Sequence, residues 1–293
     1  MKAKYRALLV MVGLLPILAS ATDVPSQKIQ VLLITGHNNT EHDWRLMGGI
    51  LRKTLEDTGR FDVRITEEFR GASKETLAPY DVIVINFHGK DRLLDAEEQR
   101  WGDRADQALF DFVKSGKGVV IYHATFAMGE PSWPEFEHMA GAALRFSAVS
   151  RRNPAVDFPV DIVDRDDPIT RGLHAQYEDV IDDMYVSMRR TPGEDIHVLA
   201  TGYDDPKAYD ASDWPPTNYP IKVPPRLEDL PGIGKSHPLV WTKSYGKGRV
   251  YGFTLGHGPE AMARPFIVGL FTRGTEWAAT GRVTIALPPL AVR

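Results

Sequence analysis

The sequence predicts an α/β domain, a doubly wound and mostly parallel sheet with helices on both faces, and three observations point there. Continuous apolar runs of strand length recur at residues 29–35, 81–87, 119–122 and 249–255, and each ends abruptly at a polar or glycine-rich turn. Helical spacing fills the intervals, so the first half reads β-α-β-β-α-β with short connections. Each apolar run is followed, within two residues, by a histidine: His37, His88, His123 and His257. In such a sheet ligands bind outside the carboxyl ends of the strands, so all four imidazoles are expected to line one crevice.

The elements follow in order. Ile29 to Thr35 is the first strand, and Gly36, His37, Asn38 and Asn39 form its loop. Met47, Ile50, Leu51 and Leu55 recur at helical spacing with Asp43 as N-cap and Gly59 as C-cap, which predicts a helix over 44–58. Phe61 to Thr66 alternates as a strand, and Asp81 to Phe87 is a third strand ending at His88. Trp101, Ala105, Leu109 and Phe112 mark a second helix. Gly116 and Gly118 stop it before the run Val119 to Tyr122, which delivers His123.

The second half is less regular. Trp133 to Gly141 has helix potential, Phe158 to Val163 alternates as a strand, and Val180 to Met188 reads as another. Eight prolines between residues 204 and 238 exclude a regular helix or central strand there. That segment is expected to be a lid or a long surface excursion, with Trp214 and Tyr219 available to cover a sugar face. Pro238 to Thr242 and Arg249 to Leu255 return as strands around a turn at 244–247, and a helix over about 260–278 closes the domain, with Pro265 near its first turn. Residues 284–293 are expected to lie as a tail on the body.

Composition sets the class. With 293 residues, 43% hydrophobic and 25% charged, the chain can bury a sizeable core. Lys2, Lys4 and Arg6, the apolar run Ala7 to Leu18 and the small residues Ala19-Ser20-Ala21 have the pattern of a secretory signal. The domain is therefore expected to span 22–283 of an exported, periplasmic or secreted protein, with no membrane attachment after cleavage. Loss of those three cations would take the net charge from −4 to −7, which argues against nucleic acid as partner. The absence of cysteine excludes a disulfide framework, a thiolate nucleophile and sulfur-held zinc.

The stretches VLLITGHNNTEHDW at 31–44, GKGVVIYHATF at 116–126, DDMY at 182–185 and KGRVYGFTLGHGPE at 247–260, followed by LFTRGTEWAA, resemble the ThuA-like family of trehalose utilisation from about residue 29 to 283. The resemblance implies a flavodoxin-like fold of the class I glutamine amidotransferase type. In those relatives a nucleophilic cysteine follows the fourth strand and a late histidine assists it. His123 stands in the cysteine's place and His257 matches the late histidine, so amidotransferase chemistry is excluded by residue type. Asp183 replaces the glutamate of the family's usual Asp-Glu-x-Tyr.

The resemblance also implies disaccharide breakdown, beside enzymes that oxidise sugars to 3-keto glycosides. A C3 ketone acidifies the C2 hydrogen, and imidazole is a base suited to removing it near neutral pH while the C1 oxygen leaves; metal-assisted hydrolysis is the other route left open. Catalytic roles are expected for His123, His257 and Asp183, and substrate contacts for His37, Asn38, His42, Asp43, His88, Trp133 and Tyr185. His37, His88, His123 and His257 are the candidate ligands of zinc or a similar divalent ion, if they converge. No nucleotide cofactor is expected; the partner is a small carbohydrate, and homo-oligomers are allowed for. The alternative is a carbohydrate-binding protein without catalysis in the same crevice. His138 is expected to be structural, and His174, His197 and His237 solvated, as is the acidic turn of Asp164, Asp166 and Asp167.

Overall fold

A computed structural model describes residues 27–36, 42–87, 100–127, 133–144, 150–154, 156–190, 193, 195–210 and 226–290. The first half contains β1 (Ile29–Gly36), α1 (Trp44–Glu56), β2 (Phe61–Thr66), α2 (Lys74–Leu77), β3 (Val82–Phe87), α3 (Asp103–Lys114) and β4 (Gly118–Tyr122). There follow α4 (Pro134–Ala140), β5 (Ala142–Ala143), β6 (Arg151–Arg152), β7 (Val156–Ile162), β8 (Gln176–Asp182), β9 (Tyr185–Val186), β10 (Arg189–Arg190) and β11 (His197–Tyr203). The chain ends with α5 (Pro206–Asp210), β12 (Ser236–Tyr245), β13 (Gly248–Phe253), α6 (Pro259–Met262) and α7 (Pro265–Thr280).

One sheet carries the molecule, in the order β2-β1-β3-β4-β13-β12-β11-β7-β8. The first five strands are mutually parallel, and the rest continue antiparallel. This is the flavodoxin-like, doubly wound arrangement expected from the apolar runs, since a strand covered on both faces needs apolar residues on both. Every residue of β3 and β4 is buried. Successive side chains divide between two core layers: Val82, Val84 and Val120 face α1 and α7, while Ile83, Ile85 and Ile121 face α3 and α4.

Several elements differ from the sequence reading for identifiable reasons. The last helix is two, because Pro265 has no N–H to donate and therefore starts α7 instead of continuing α6. The strand expected over 180–188 begins earlier, at Gln176, and breaks after Asp182; Tyr185 and Val186 leave to pair with Arg151 and Arg152. Pro238 lies inside β12, within the sheet, where the pairing with β11 shifts register beside Thr201 and no ladder N–H is required of it. Pro206 opens α5, so the proline-rich stretch holds regular structure at both ends, while Trp214 and Tyr219 lie outside the described residues. β11 and α2, which have no strong periodicity, were not foreseen. His237 is buried, not solvated, with Nε2 2.9 Å from the Gly232 carbonyl, whereas His197 is exposed and pairs with Asp164.

Residues 281–290 carry no regular structure, but Ile285, Leu287 and Leu290 pack on the core and Glu276 accepts the backbone N–H groups of Thr284 and Ile285. Among the described residues, no helix is long and apolar enough to cross a membrane.

Candidate functional site

His123 is delivered by the carboxyl end of β4 and turns at once into a 3₁₀ turn over His123–Phe126. Its φ of 31° is unusual for a residue with a Cβ, a local cost that marks functional turns more often than structural ones. The imidazole is buried. Its Nδ1 lies 2.6 Å from the Thr254 carbonyl, just past β13, and a carbonyl can only accept, so Nδ1 carries the hydrogen. In the neutral ring Nε2 then holds the lone pair.

That Nε2 is 3.1 Å from Nδ1 of His257, so His257 must supply the hydrogen between them. The same Nδ1 is 3.1 Å from Oδ2 of Asp183, which also accepts from Nη1 of Arg152 at 3.0 Å. Two acceptors thus compete for one N–H, and both orient the ring with Nδ1 inward. His42, immediately before the N-cap of α1, closes the group: its ring centroid is 4.8 Å from that of His257 and 5.4 Å from that of His123. Tyr185 lies on the other side of His123, 4.9 Å between centroids.

Asp182 explains how the loop after β13 is fixed. Its buried carboxylate accepts the backbone N–H groups of Gly256 at 2.6 Å, His257 at 2.9 Å and Asp183 at 2.9 Å. From the other side, Tyr122 Oη donates to the Gly256 carbonyl at 2.5 Å. Gly256 has φ +91°, and a Cβ there would stand 2.0 Å from that hydroxyl, so only glycine fits.

The electrostatics separate the groups. Burial, assisted by the neighbouring His257, pushes His123 down to about 3, so it is neutral at physiological pH. Burial also opposes charge on His257, but Asp183 outweighs it and raises its pKa. Burial raises Asp183 too, yet His257 and Arg152 override this and hold it well below the usual carboxylate range. Asp182 is pushed up to about 7 by burial, against the pull of the Gly256 and His257 N–H groups.

His42, His123 and His257 each offer a nitrogen, all within 4.8 Å of one another. Three imidazoles are the protein donor set of a catalytic zinc site, and the held Nδ1 of His123 is the outer contact such ligands keep. The residues therefore fit a divalent ion, with His42 in the set expected of His37 and His88. Those two, with Asn38, lie outside the described residues. Of the other candidates, Asp183 and Tyr185 join the imidazoles. Asp43 is occupied otherwise, accepting from Leu46 N at 3.0 Å as the N-cap of α1. Trp133 is buried at the start of α4 among Trp101, Phe110 and Phe136, in the core layer beneath α3 and α4. Arg152 and Asp182 were missed, because neither periodicity nor motif spacing announces a contact made between distant strands. A groove of about 920 Å³ between α2 and α3, at the amino edge of the sheet, has no histidine in its wall and lies apart from the imidazoles.

The sequence matches the profile of the ThuA family, described as trehalose utilisation, over residues 30–278. No curated protein matches it. Among solved structures it is similar to a ThuA-like protein from Parabacteroides merdae, at 27% identity over 89% of this chain and 94% of that one, with a TM-score of 0.69. A ThuA-like protein from Bacteroides uniformis shares 19% identity over 87% and 94% of the two chains, TM-score 0.61. A cytoplasmic protein from Salmonella typhimurium shares 13% over 86% and 100%, TM-score 0.54. At these identities the last two are alike in fold alone.

Proposed function

The chain belongs to the ThuA family of trehalose utilisation, and on that premise we propose that it is an exported enzyme of disaccharide breakdown, cleaving a glycoside that carries a ketone at C3. The observation that carries this reading is the convergence of His42, His123 and His257 beside Asp183 at the carboxyl edge of the sheet. Acid–base groups with opposed protonation preferences, side by side, are what a proton transfer near neutral pH requires.

His257, the more exposed of the two strand-end imidazoles, exchanges the proton. With Nδ1–H held by Asp183, its neutral form presents the Nε2 lone pair, and this takes the C2 hydrogen of the substrate. The electron pair of the C2–H bond becomes the C1–C2 double bond as the bond from C1 to the glycosidic oxygen breaks, and the departing oxygen takes a proton from the imidazolium. Asp183 stabilises that imidazolium, and Arg152 keeps the carboxylate ionised. Where His42, His123 and His257 hold a divalent ion such as zinc, the ion would supply Lewis-acid polarisation of the ketone and would occupy the His257 lone pair, so His257 acts as the base only when it is not a ligand.

The test is turnover of 3-keto-trehalose beside trehalose. Release of glucose from the keto sugar alone, with an unsaturated keto product, supports elimination. Release from both at similar rates points to hydrolysis, and tight binding with no cleavage of either leaves a carbohydrate-binding protein.

A further inference from the structure

One residue at the same edge of the sheet belongs to no part of this account. Asn86 is the last but one residue of β3, in an otherwise apolar run, Val82-Ile83-Val84-Ile85. It is 5% exposed, and its Nδ2 is fully buried with no hydrogen-bond partner. An amide donor buried in that state gives up its hydration with nothing in return, so an apolar residue of the same shape would make a more stable protein. Buried polar groups left in this way are rare and call for an explanation.

Its position supplies one. Alternation along β3 puts Asn86 on the same face as Val82 and Val84, the face covered by α1. Its sheet partner on β1 is Thr35, on the same face, and α1 lies over Thr35: a Cβ on Gly48 would stand 3.6 Å from Thr35 Oγ1. On β4 the pairing of Ile85 with Ile121 sets Asn86 level with Tyr122, the residue before His123. In the order β2-β1-β3-β4 the chain leaves β1 to one side and β3 to the other, so the crevice of a doubly wound sheet opens between the carboxyl ends of these two strands. Asn86 and Thr35 are its two floor residues, and His42 stands at the start of the helix above them.

We propose that Asn86 is a substrate-binding residue, its side-chain amide donating a hydrogen bond to a hydroxyl or carbonyl oxygen of a sugar seated between the carboxyl ends of β1 and β3. This rests on the reading of the site as a carbohydrate site and names the group by which the sugar is held. A donor kept unsatisfied in the free protein discriminates well, because a ligand without the matching oxygen leaves it orphaned.

The experiment titrates trehalose and 3-keto-trehalose calorimetrically into the full-length protein and into Asn86→Leu and Asn86→Ala, with melting curves of all three. We expect Asn86→Leu to melt at or above the parent and both variants to bind the sugar about tenfold more weakly, the scale of one lost hydrogen bond. Unchanged affinity in both variants would overturn the proposal while leaving the site intact, since an ordered water alone would then satisfy the amide. Melting far below the parent in both would overturn it as well, showing an amide that holds the fold. A parent that binds neither trehalose nor 3-keto-trehalose would overturn both this assignment and the carbohydrate reading on which it rests.

Discussion

Replacing His123 separates what this residue does for the fold from what it does for the site. Sequence alone places it at a wet strand end, where His123→Ala would cost little. The structure buries it to 1% exposure between Tyr185 and the loop after β13. Removing the ring leaves the Thr254 carbonyl without its N–H donor, about 1 kcal/mol, and a cavity whose cost is of the order of 1–3 kcal/mol. His123→Ala should therefore be destabilised by about 2–4 kcal/mol, which at this chain length lowers the melting temperature by roughly 3–7 °C. His123→Gly relieves the φ of +31° and should recover a small part of that loss. His257→Ala, with a more exposed ring, should melt closer to the parent. Differential scanning calorimetry on chelator-treated protein checks the order, and a His123→Ala that melts with the parent while His257→Ala falls would refute the reasoning.

Three further predictions follow from the same geometry. Asp182, held near 7 when folded against about 4 when unfolded, contributes stability in full below about pH 4 and loses it as pH rises toward 7. In metal-stripped protein the stability of the parent relative to Asp182→Asn should therefore fall by a few kcal/mol across that window, and urea titrations showing the reverse slope would contradict it. Purified protein should carry about one divalent ion by elemental analysis, and His42→Ala should bind zinc at least tenfold more weakly; equal zinc affinity would remove His42 from the set. Protein recovered from an expressing cell should begin after Ala21, and an N-terminus at Met1 in protein from the cytoplasm would count against export.

The parallel half was legible because its strands are apolar on both faces and its helices show clear periodicity; Ile29–Gly36, Val82–Phe87 and Gly118–Tyr122 fall within a residue or two of the expected bounds. The antiparallel half was legible only in part: strands were expected near β7, β8 and β12, with shifted bounds, whereas β11 reads HVLATGY, with small residues where a strand normally announces itself. In the site, His123, His257, Asp183 and Tyr185 could be named from strand ends and motif. Trp133 could not be placed, because an aromatic at the start of a helix reads the same whether it meets substrate or, as here, Trp101 and Phe136.

The antiparallel half matters to the chemistry. A bare five-stranded parallel sheet would present His123 and His257 at adjacent strand ends with nothing to separate their protonation states. The extension through β12, β11, β7 and β8 brings the chain back so that Asp182, at the end of β8, reaches the loop after β13. Because Asp182 takes three backbone N–H groups, the strand stops there, and the next residue, Asp183, is set against His257. Tyr185 and Arg152 then meet across the short β6–β9 pair, which puts one against His123 and the other on Asp183. A carboxylate on only one of two touching imidazoles is what raises His257 while burial leaves His123 neutral. The asymmetry that makes a proton transfer possible thus originates in strands whose pairing the sequence pattern does not give.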